Sequence, residues 1–148
     1  LLESLAAWMK DLQPDVVHVN AGLHDLWMDG AQNRVPLDEY RRNLEQIIAT
    51  IREHTDATII WATTTPVIDS RVLASSGRQG YKNSDVERYN AVAREVMEEH
   101  GVVINDLYGL VTRLGVDRLI AEDGVHFTQA GYMILGTAVA ESIAAVLE

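Results

Sequence analysis

A carboxylate and an imidazole three residues apart form the pattern in this sequence that is best suited to chemistry. Asp123 precedes His126 in the segment Glu122–Thr128, and an apolar helix pattern begins at about Thr128. A carboxylate beside a histidine fixes the imidazole tautomer and stabilises the imidazolium that forms when the ring takes a proton from a hydroxyl. The same spacing also arises where an aspartate caps a turn before a helix. The pattern alone leaves both interpretations open.

The composition excludes several classes of protein and of chemistry. The chain has 148 residues, and residues 1–148 are predicted to form one domain with a substantial core. A formal net charge of −10, without any cluster of Lys and Arg, argues against a nucleic-acid partner. The absence of cysteine excludes disulfides, thiolate nucleophiles and cysteine-ligated zinc.

The sequence carries no clear pattern for a membrane-spanning helix or for a metal site. No apolar run approaches the roughly 18 residues that a membrane-spanning helix needs, so we expect no membrane partner. The four residues His24, Asp25, Asp123 and His126 are of metal-binding type but lack a ligand spacing, and we predict neither metal nor cofactor. The chain opens on Leu1 within a helical pattern, so we expect the natural chain to extend further upstream. Nothing indicates the cellular compartment.

Helix and strand patterns alternate along the whole chain. Helices are predicted over residues 1–12, from Pro36 to about 51, from Ser84 or Asp85 to about 100, around 107–114, and over 130–147. Strands are predicted over residues 15–20, 57–63 and 102–105, and residues 67–83 are predicted to be an irregular loop. This alternation predicts an α/β protein with a parallel sheet, right-handed crossovers and helices on both faces.

Polar segments follow the predicted strands, at the positions where ligands bind in open α/β sheets. The segments are Asn20–Asp25, Thr63–Pro66 and the stretch that leads to His126. The carboxyl ends of parallel strands share one edge of the sheet. We therefore expect a functional site at that edge, with Thr65 among its loop residues.

Two segments resemble blocks that characterise the SGNH (GDSL-type) hydrolase family. Asp123-Gly124-Val125-His126 matches the family's last block, Asp-x-x-His, and Gly22-Leu23-His24-Asp25 resembles its third block, Gly-x-Asn-Asp. The stretch Trp61–Pro66 and the run Tyr89-Asn90-Ala91 are also similar to family sequences. The resemblance covers nearly the whole chain, from the helix before the third block to the C-terminus.

The resemblance implies a fold, an activity and a set of roles. The fold is a flavodoxin-like, three-layer α/β/α arrangement with parallel strands ordered 2-1-3-4-5, of which this chain would hold about three. The activity is that of a serine ester hydrolase acting on short acyl or carbohydrate esters, with a small-molecule ester as its partner. His126 would be the general base, and Asp123 would orient it. Gly22 and His24 would help to form the oxyanion hole.

The sequence departs from the family pattern at two points. His24 stands where the family has an Asn that donates to the oxyanion, so either the His24 ring donates, or His24 only packs locally, or Asn20 supplies an amide. The nucleophile block Gly-Asp-Ser is absent, and the family places it upstream of Leu1. None of the serines that we considered is expected to be the nucleophile: Ser4, Ser70, Ser75, Ser76, Ser84 and Ser142.

Other polar and apolar residues have structural as well as functional interpretations. We expect Asp25 to hold its loop by accepting hydrogen bonds from backbone N–H groups, and His18 to be a core histidine. Arg71 and Arg78 either steer an anionic substrate or belong to a solvated loop. Three large apolar residues either line an acyl or sugar pocket or belong to the core: Trp27, Met28 and Trp61.

Two alternatives to an active hydrolase remain at the level of sequence. One is a catalytically inactive fragment that keeps the base and its carboxylate, and the other is a flavodoxin-like binding module without chemistry. A sheet reduced to three strands would also leave one edge and one apolar face uncovered. Such a chain is expected to self-associate through the uncovered edge.

Overall fold

The computed structural model describes residues 1–29, 32–77 and 80–148. The helices are α1 (Leu2–Leu12), α2 (Leu37–His54), α3 (Asp69–Ser76), α4 (Asn83–Glu99), α5 (Leu107–Leu114), α6 (Val116–Leu119) and α7 (Gln129–Leu147). The strands are β1 (Val16–Val19), β2 (Met28–Asp29), β3 (Gln32–Asn33), β4 (Thr58–Ala62) and β5 (Val103–Asn105). Strands β2 and β3 pair antiparallel, and we call them the hairpin.

The main sheet has three parallel strands in the order β1-β4-β5. Its register pairs Val17 with Ile59 and Ile60 with Val103. Each parallel connection passes through at least one helix, as parallel strands require. The α/β architecture predicted from the sequence is confirmed.

Helices cover both faces of this sheet. Ile59 and Trp61 of the central strand belong to the main hydrophobic cluster, which α1, α2 and α4 complete. Side chains alternate along a strand, so the neighbouring positions face α7. On that second face the Asn105 amide donates to the carbonyl of Ala138 at 3.4 Å and lies 3.2 Å from Nε2 of His18. Burial lowers the pKa of His18, which fits a neutral ring that accepts this bond, and His18 is half-buried rather than a full core residue.

The stretch predicted as an irregular loop contains a helix, so that prediction was wrong. Helix α3 buries Val72 and ends at Gly77, whose positive φ of 71° provides a left-handed cap. Its eight residues are too few for a clear periodic pattern, and its end is rich in serine. Helix α4 begins at Asn83, slightly before the predicted Ser84 or Asp85.

The C-terminal helix begins within one residue of its predicted start, and much of it is exposed. Helix α7 has 19 residues and is apolar enough to cross a membrane, so the expectation that no segment qualifies was wrong. Only 6% of its most apolar stretch is buried. Ile134 and Leu135 are half-buried, whereas Tyr132 and Met133 are exposed. Its contacts with all three strands of the sheet show that at least one face of α7 packs on protein.

Strand β1 occupies an edge of the main sheet. Its outer side pairs with no strand of the described residues, and most of its residues are half-buried. A buried strand was predicted here because the run is rich in valine. Self-association through this edge stays a prediction.

Candidate functional site

The Asp123–His126 pair forms a compact hydrogen-bonded turn. Oδ2 of Asp123 lies 2.5 Å from Nδ1 of His126, and Oδ1 accepts the backbone N–H groups of Val125 and His126, each at 2.9 Å. An ionised carboxylate only accepts hydrogen bonds, so Nδ1 carries the proton and Nε2 is left as the acceptor of a neutral ring. The His126 side chain is 71% exposed. Its Nε2 is therefore available to a hydroxyl donor.

The hydrogen bonds of this turn keep the carboxylate ionised. Partial desolvation is the largest single effect on Asp123 and works towards a higher pKa. The hydrogen bonds from the Val125 N–H and from the ring and backbone of His126 together outweigh it, so the pKa of Asp123 lies below its ordinary value. The carboxylate of Asp123 therefore accepts the hydrogen bond from Nδ1 of His126 in its ionised form.

Helix α3 supports the loop that carries this pair. Gly124 has a positive φ of 80°, and a Cβ there would lie 2.6 Å from the carbonyl oxygen of Ile68 and 2.8 Å from the nitrogen of Val72. The N–H of Ile68 donates to the carbonyl of Gly124 at 2.9 Å. The glycine between Asp123 and His126 is therefore required for close contact with the start of α3.

The loop after β1 is fixed by a similar close approach. A Cβ on Gly22 would lie 2.5 Å from Oγ1 of Thr64, and the φ of Gly22 is 151°. The Tyr40 hydroxyl donates to the carbonyl of Ala21 at 3.1 Å. Thr64 is held in turn by the Asn90 amide, which accepts its N–H at 2.9 Å and donates to its carbonyl at 2.8 Å. The loop that holds Gly22 and His24 thus rests on buried groups of α2, of α4 and of the segment that follows β4.

Gly22→Ala is expected to destabilise the protein by about 1–3 kcal/mol, because the methyl group would both clash with Thr64 and strain the backbone. Urea unfolding at pH 7 measures the change. Gly136→Ala in α7 is the matched control, since a Cβ at Gly136 meets nothing within 4 Å and alanine favours a helix. The control is expected to be neutral or slightly stabilising. Equal stability of the two variants would contradict the close approach at Gly22.

The structure brings His24, Asp123 and His126 to one cavity. The cavity has a volume of about 210 Å³, and its other lining residues are Leu23, Trp27, Val72, Ser75, Ser76, Tyr81 and Val125. Among the described residues, the backbone N–H groups of Gly22 and His24 donate no hydrogen bond. His24 lines the cavity, whereas Gly22 does not.

The other predicted loop residues lie outside this cavity. The Asn20 amide donates to the carbonyls of Ala62 and Thr63 at 3.0 and 3.4 Å, which ties the end of β1 to the end of β4. Thr65 is half-buried and does not line the cavity. Asp25 lines a different depression, beside Leu1, Leu2 and Asn43.

The carboxylate of Asp25 does not have the role expected of it. In the part of the chain that the structure describes, this carboxylate accepts no hydrogen bond, so it does not hold the loop through backbone N–H groups. The backbone N–H of Asp25 donates to the carbonyl of Gly22 at 2.9 Å. Desolvation raises the pKa of Asp25, and the nearby His24 offsets this only in part. Asp25 is therefore a half-buried carboxyl that is displaced from the His126 cavity.

Two serines share the cavity with His126, which the sequence gave no reason to expect. The Ser75 hydroxyl donates to the carbonyls of Val72 and Asp123, at 3.2 and 3.3 Å. The Ser76 hydroxyl donates to the same Val72 carbonyl at 2.7 Å. Within the described residues Ser75 makes no hydrogen bond to the His126 ring, so its hydroxyl serves the end of α3.

The structure also shows what Arg71 contacts and where Trp61 and Trp27 lie. Arg71 donates to the carbonyl of Ile120 at 2.9 Å and to the Asp117 carboxylate at 3.2 Å, so it fastens α3 to α6. Arg78 lies outside the described residues. Trp61 is 1% exposed and belongs to the core, whereas Trp27 lines the cavity. Across the described ranges no three His, Asp or Glu side chains are grouped to hold a metal ion.

Asp106 joins three elements behind the site. Its Oδ1 accepts hydrogen bonds from Arg94 at 2.6 Å, from the Thr63 hydroxyl at 3.1 Å and from the N–H of Gly109 at 3.0 Å. Desolvation is the largest effect and would raise the pKa of Asp106, but the hydrogen bonds from Gly109 and Arg94 outweigh it and lower the pKa below its ordinary value. Ionised Asp106 thus links the end of β4 to α4 and α5.

Asp106→Asn is expected to reduce the acid sensitivity of folding. A carboxyl whose folded pKa is depressed contributes stability that is present above the unfolded pKa of about 3.9 and is lost as the pH falls through the folded pKa. The wild type should therefore lose more stability between pH 7 and pH 3 than the variant. Urea unfolding across that range measures the difference, with the exposed Asp56→Asn as the control. Parallel stability curves for wild type and Asp106→Asn would contradict the assignment.

The chain is similar in sequence and in fold to known hydrolases. Residues 2–134 match the family model described as GDSL-like lipase/acylhydrolase. A lipase/acylhydrolase from Enterococcus faecalis is 26% identical and superposes with a TM-score of 0.79, with 96% of this chain and 67% of that chain covered. No curated protein matches the sequence significantly.

Two further solved structures share the fold at lower identity. A GDSL-like lipase from Bacteroides thetaiotaomicron is 17% identical, with a TM-score of 0.74 over 98% of this chain and 69% of that chain. A catalytic mutant of an acetylxylan esterase from Geobacillus stearothermophilus is 24% identical, with a TM-score of 0.68 over 96% of this chain and 67% of that chain. The chain therefore spans about two thirds of the length of these structures.

Proposed function

The chain belongs to the GDSL-like lipase/acylhydrolase family, and we propose that it forms the base-bearing part of a serine ester hydrolase. The observation that carries this proposal is the Asp123–His126 pair, with Nδ1 of the ring 2.5 Å from the carboxylate and the ring exposed at a cavity. A carboxylate-held imidazole is the group that activates a serine hydroxyl in acyl transfer. The family's Gly-Asp-Ser motif is not in this sequence, so the proposed nucleophile is a serine upstream of Leu1.

The proposed reaction has two halves, each with one proton transfer through His126. Nε2 takes the proton of the serine hydroxyl as its oxygen attacks the ester carbonyl, and the imidazolium then gives that proton to the departing alkoxide. In the second half Nε2 takes a proton from water, hydroxide attacks the acyl-enzyme, and the serine regains its proton. Asp123 holds the ring in the required tautomer and stabilises the imidazolium without becoming protonated.

The oxyanion that forms in each half needs hydrogen-bond donors. We assign the backbone N–H of Gly22 and a ring or backbone N–H of His24 to this role. Their support is the loop geometry, in which neither backbone N–H donates to another described residue. One such donor contributes about 3–4 kcal/mol to transition-state stabilisation in acyl transfer.

Esters of short acyl groups, including acyl groups on carbohydrate, are the proposed substrates. The relative from Enterococcus faecalis is a lipase/acylhydrolase, and the fold is shared with an acetylxylan esterase. Both support the hydrolysis of an ester as the proposed activity.

A rapid-mixing experiment tests the proposal. The protein at its natural length is mixed with p-nitrophenyl acetate, and release of p-nitrophenol is followed from the first milliseconds. An acyl-enzyme mechanism predicts a burst of about one equivalent per chain, or steady turnover if deacylation is fast. Absence of any enzyme-dependent release, from this and from longer p-nitrophenyl esters, would favour an inactive protein or a binding module.

A further inference from the structure

Both polar and apolar residues line the cavity beside His126. The polar ones are His24, Ser75, Ser76, Asp123 and His126. The apolar wall is built from Leu23, Val72, Val125 and the aromatic residues Trp27 and Tyr81. An apolar pocket with a few convergent polar groups is the usual form of a small-molecule site. The two serine hydroxyls bond to backbone carbonyls and the other polar groups are assigned to the proposed chemistry, so the apolar wall is left to contact the rest of the substrate.

Trp27 is fixed in this wall by contacts from a distant segment. A Cβ on Gly80 would lie 2.4 Å from the Trp27 ring, so the indole packs directly on the backbone there. The Trp27 and Tyr81 rings meet edge to face, with centroids 4.9 Å apart and planes at 79°. The N–H of Met28 donates to the carbonyl of Gly80 at 2.9 Å. The position of the indole is therefore determined by packing on two sides.

The hairpin that follows Trp27 is anchored to the core. The Asn33 amide donates to the carbonyl of Leu26 at 2.8 Å and to Oδ2 of Asp85 at 3.3 Å. Asp85 is a buried residue of α4 and also pairs with Arg88 at 3.0 Å. The N–H of Arg34 donates to the carbonyl of Trp27 at 2.8 Å. These hydrogen bonds tie the segment that carries Trp27 to α4.

The volume of the cavity limits what it can hold. At about 210 Å³ it exceeds the roughly 150 Å³ of an apolar cavity that binds benzene. It is smaller than the range of about 300–1,000 Å³ for pockets that take drug-sized ligands. A short unbranched chain is compatible with this size.

Building on the proposed function, we propose that this cavity binds the unbranched apolar chain of the ester and that Trp27 sets its maximum length. The chain lies between Leu23, Val125 and the Trp27–Tyr81 pair, with the ester carbonyl next to His126. The same chemistry is present in an acyl chain and in the alkyl chain of an alcohol. The experiment therefore includes both.

Three variants of the natural-length protein test this proposal. Trp27→Ala removes the indole from the cavity lining, and Trp27→Leu removes less volume while keeping an apolar side chain next to Gly80. Leu23→Trp places a larger side chain in the cavity lining. Trp8→Ala is the matched control, because Trp8 is an exposed tryptophan of α1 that does not line the cavity.

Values of kcat/KM are measured for two ester series. One runs from p-nitrophenyl acetate to the butyrate, hexanoate and octanoate, and the other from ethyl acetate to hexyl and octyl acetate. Trp27→Ala should raise the ratio of kcat/KM for the octanoate to kcat/KM for the acetate about tenfold or more, or the corresponding ratio for octyl and ethyl acetate. One methylene in an apolar pocket changes selectivity by about 10–200-fold. Trp27→Leu should shift the same ratio in the same direction, and Leu23→Trp should lower the ratio for butyrate or hexanoate. Trp8→Ala should match the wild type.

The series that responds identifies which side of the ester occupies the cavity. Chain-length profiles that are the same in wild type, Leu23→Trp and both Trp27 variants, for both series, would overturn the inference while leaving the proposed function intact. A wild-type protein that hydrolyses no ester in either series would instead overturn the proposed function, and the chain-length assignment with it. The two failures are therefore distinguishable.

Discussion

Replacing His126 with alanine is expected to lower kcat for ester hydrolysis by about 10⁵–10⁶-fold, because removal of the base in a hydroxyl–imidazole–carboxylate unit costs nearly as much as removal of the whole unit. In the proposed mechanism, Nε2 of His126 accepts a proton in both halves of the reaction, first from the serine and then from water. Folding should be little affected, since the side chain is 71% exposed. The measurement is kcat for p-nitrophenyl acetate, with thermal unfolding run in parallel.

His100→Ala is the matched control for this substitution. His100 is an exposed histidine at the end of α4, and its backbone carbonyl rather than its ring accepts the hydrogen bond from Arg52. The control should keep wild-type kcat. A His126→Ala protein that retains more than about a tenth of wild-type kcat would show that another group is the base, because loss of a positioned base costs at least about 10²-fold.

Asp123→Asn is expected to lower kcat by about 10⁴-fold with little change in stability. The amide oxygen can still accept the two backbone N–H groups that Oδ1 accepts now. The amide nitrogen would then face Nδ1 of His126, and a donor at that position forces Nδ1 to accept and Nε2 to carry the proton. The ring would hold the wrong tautomer for taking a proton from a hydroxyl.

The rate constant and the unfolding midpoint of Asp123→Asn are measured beside those of Asp11→Asn. Asp11 is an exposed carboxylate of α1, and its loss should change neither quantity appreciably. A large loss of stability in Asp123→Asn, with kcat preserved in the folded fraction, would assign Asp123 to turn formation alone. That result would support the structural interpretation of the motif.

The elements with a clear periodic pattern were predictable from the sequence. Strand β4 lies at the centre of the sheet and is covered on both faces, which is why Ile60, Trp61 and Ala62 form a continuous apolar run. Helix α3 was missed because most of its eight residues are exposed and only Val72 is buried. The open side of α7 was also unpredictable, since a helix that is apolar all round is normally buried.

The site was predictable only where sequence neighbours form it. Asp123 and His126 are three residues apart, so their hydrogen bond depends on one local turn. The cavity depends instead on contacts between distant segments, such as Trp27 with Gly80, for which no local pattern exists. Asp25 is the opposite case. It was expected to hold its loop through backbone N–H groups, but its carboxylate accepts no hydrogen bond from the described residues.

Mapping the reactive serine tests the central claim most directly. The natural-length protein is treated with a fluorophosphonate, which phosphonylates an activated serine hydroxyl and releases fluoride, and the modified peptide is identified by mass spectrometry. The proposed mechanism predicts one adduct on a serine upstream of Leu1, abolished in His126→Ala and retained in Ser75→Ala. An adduct on Ser75, or no His126-dependent adduct at all, would contradict it.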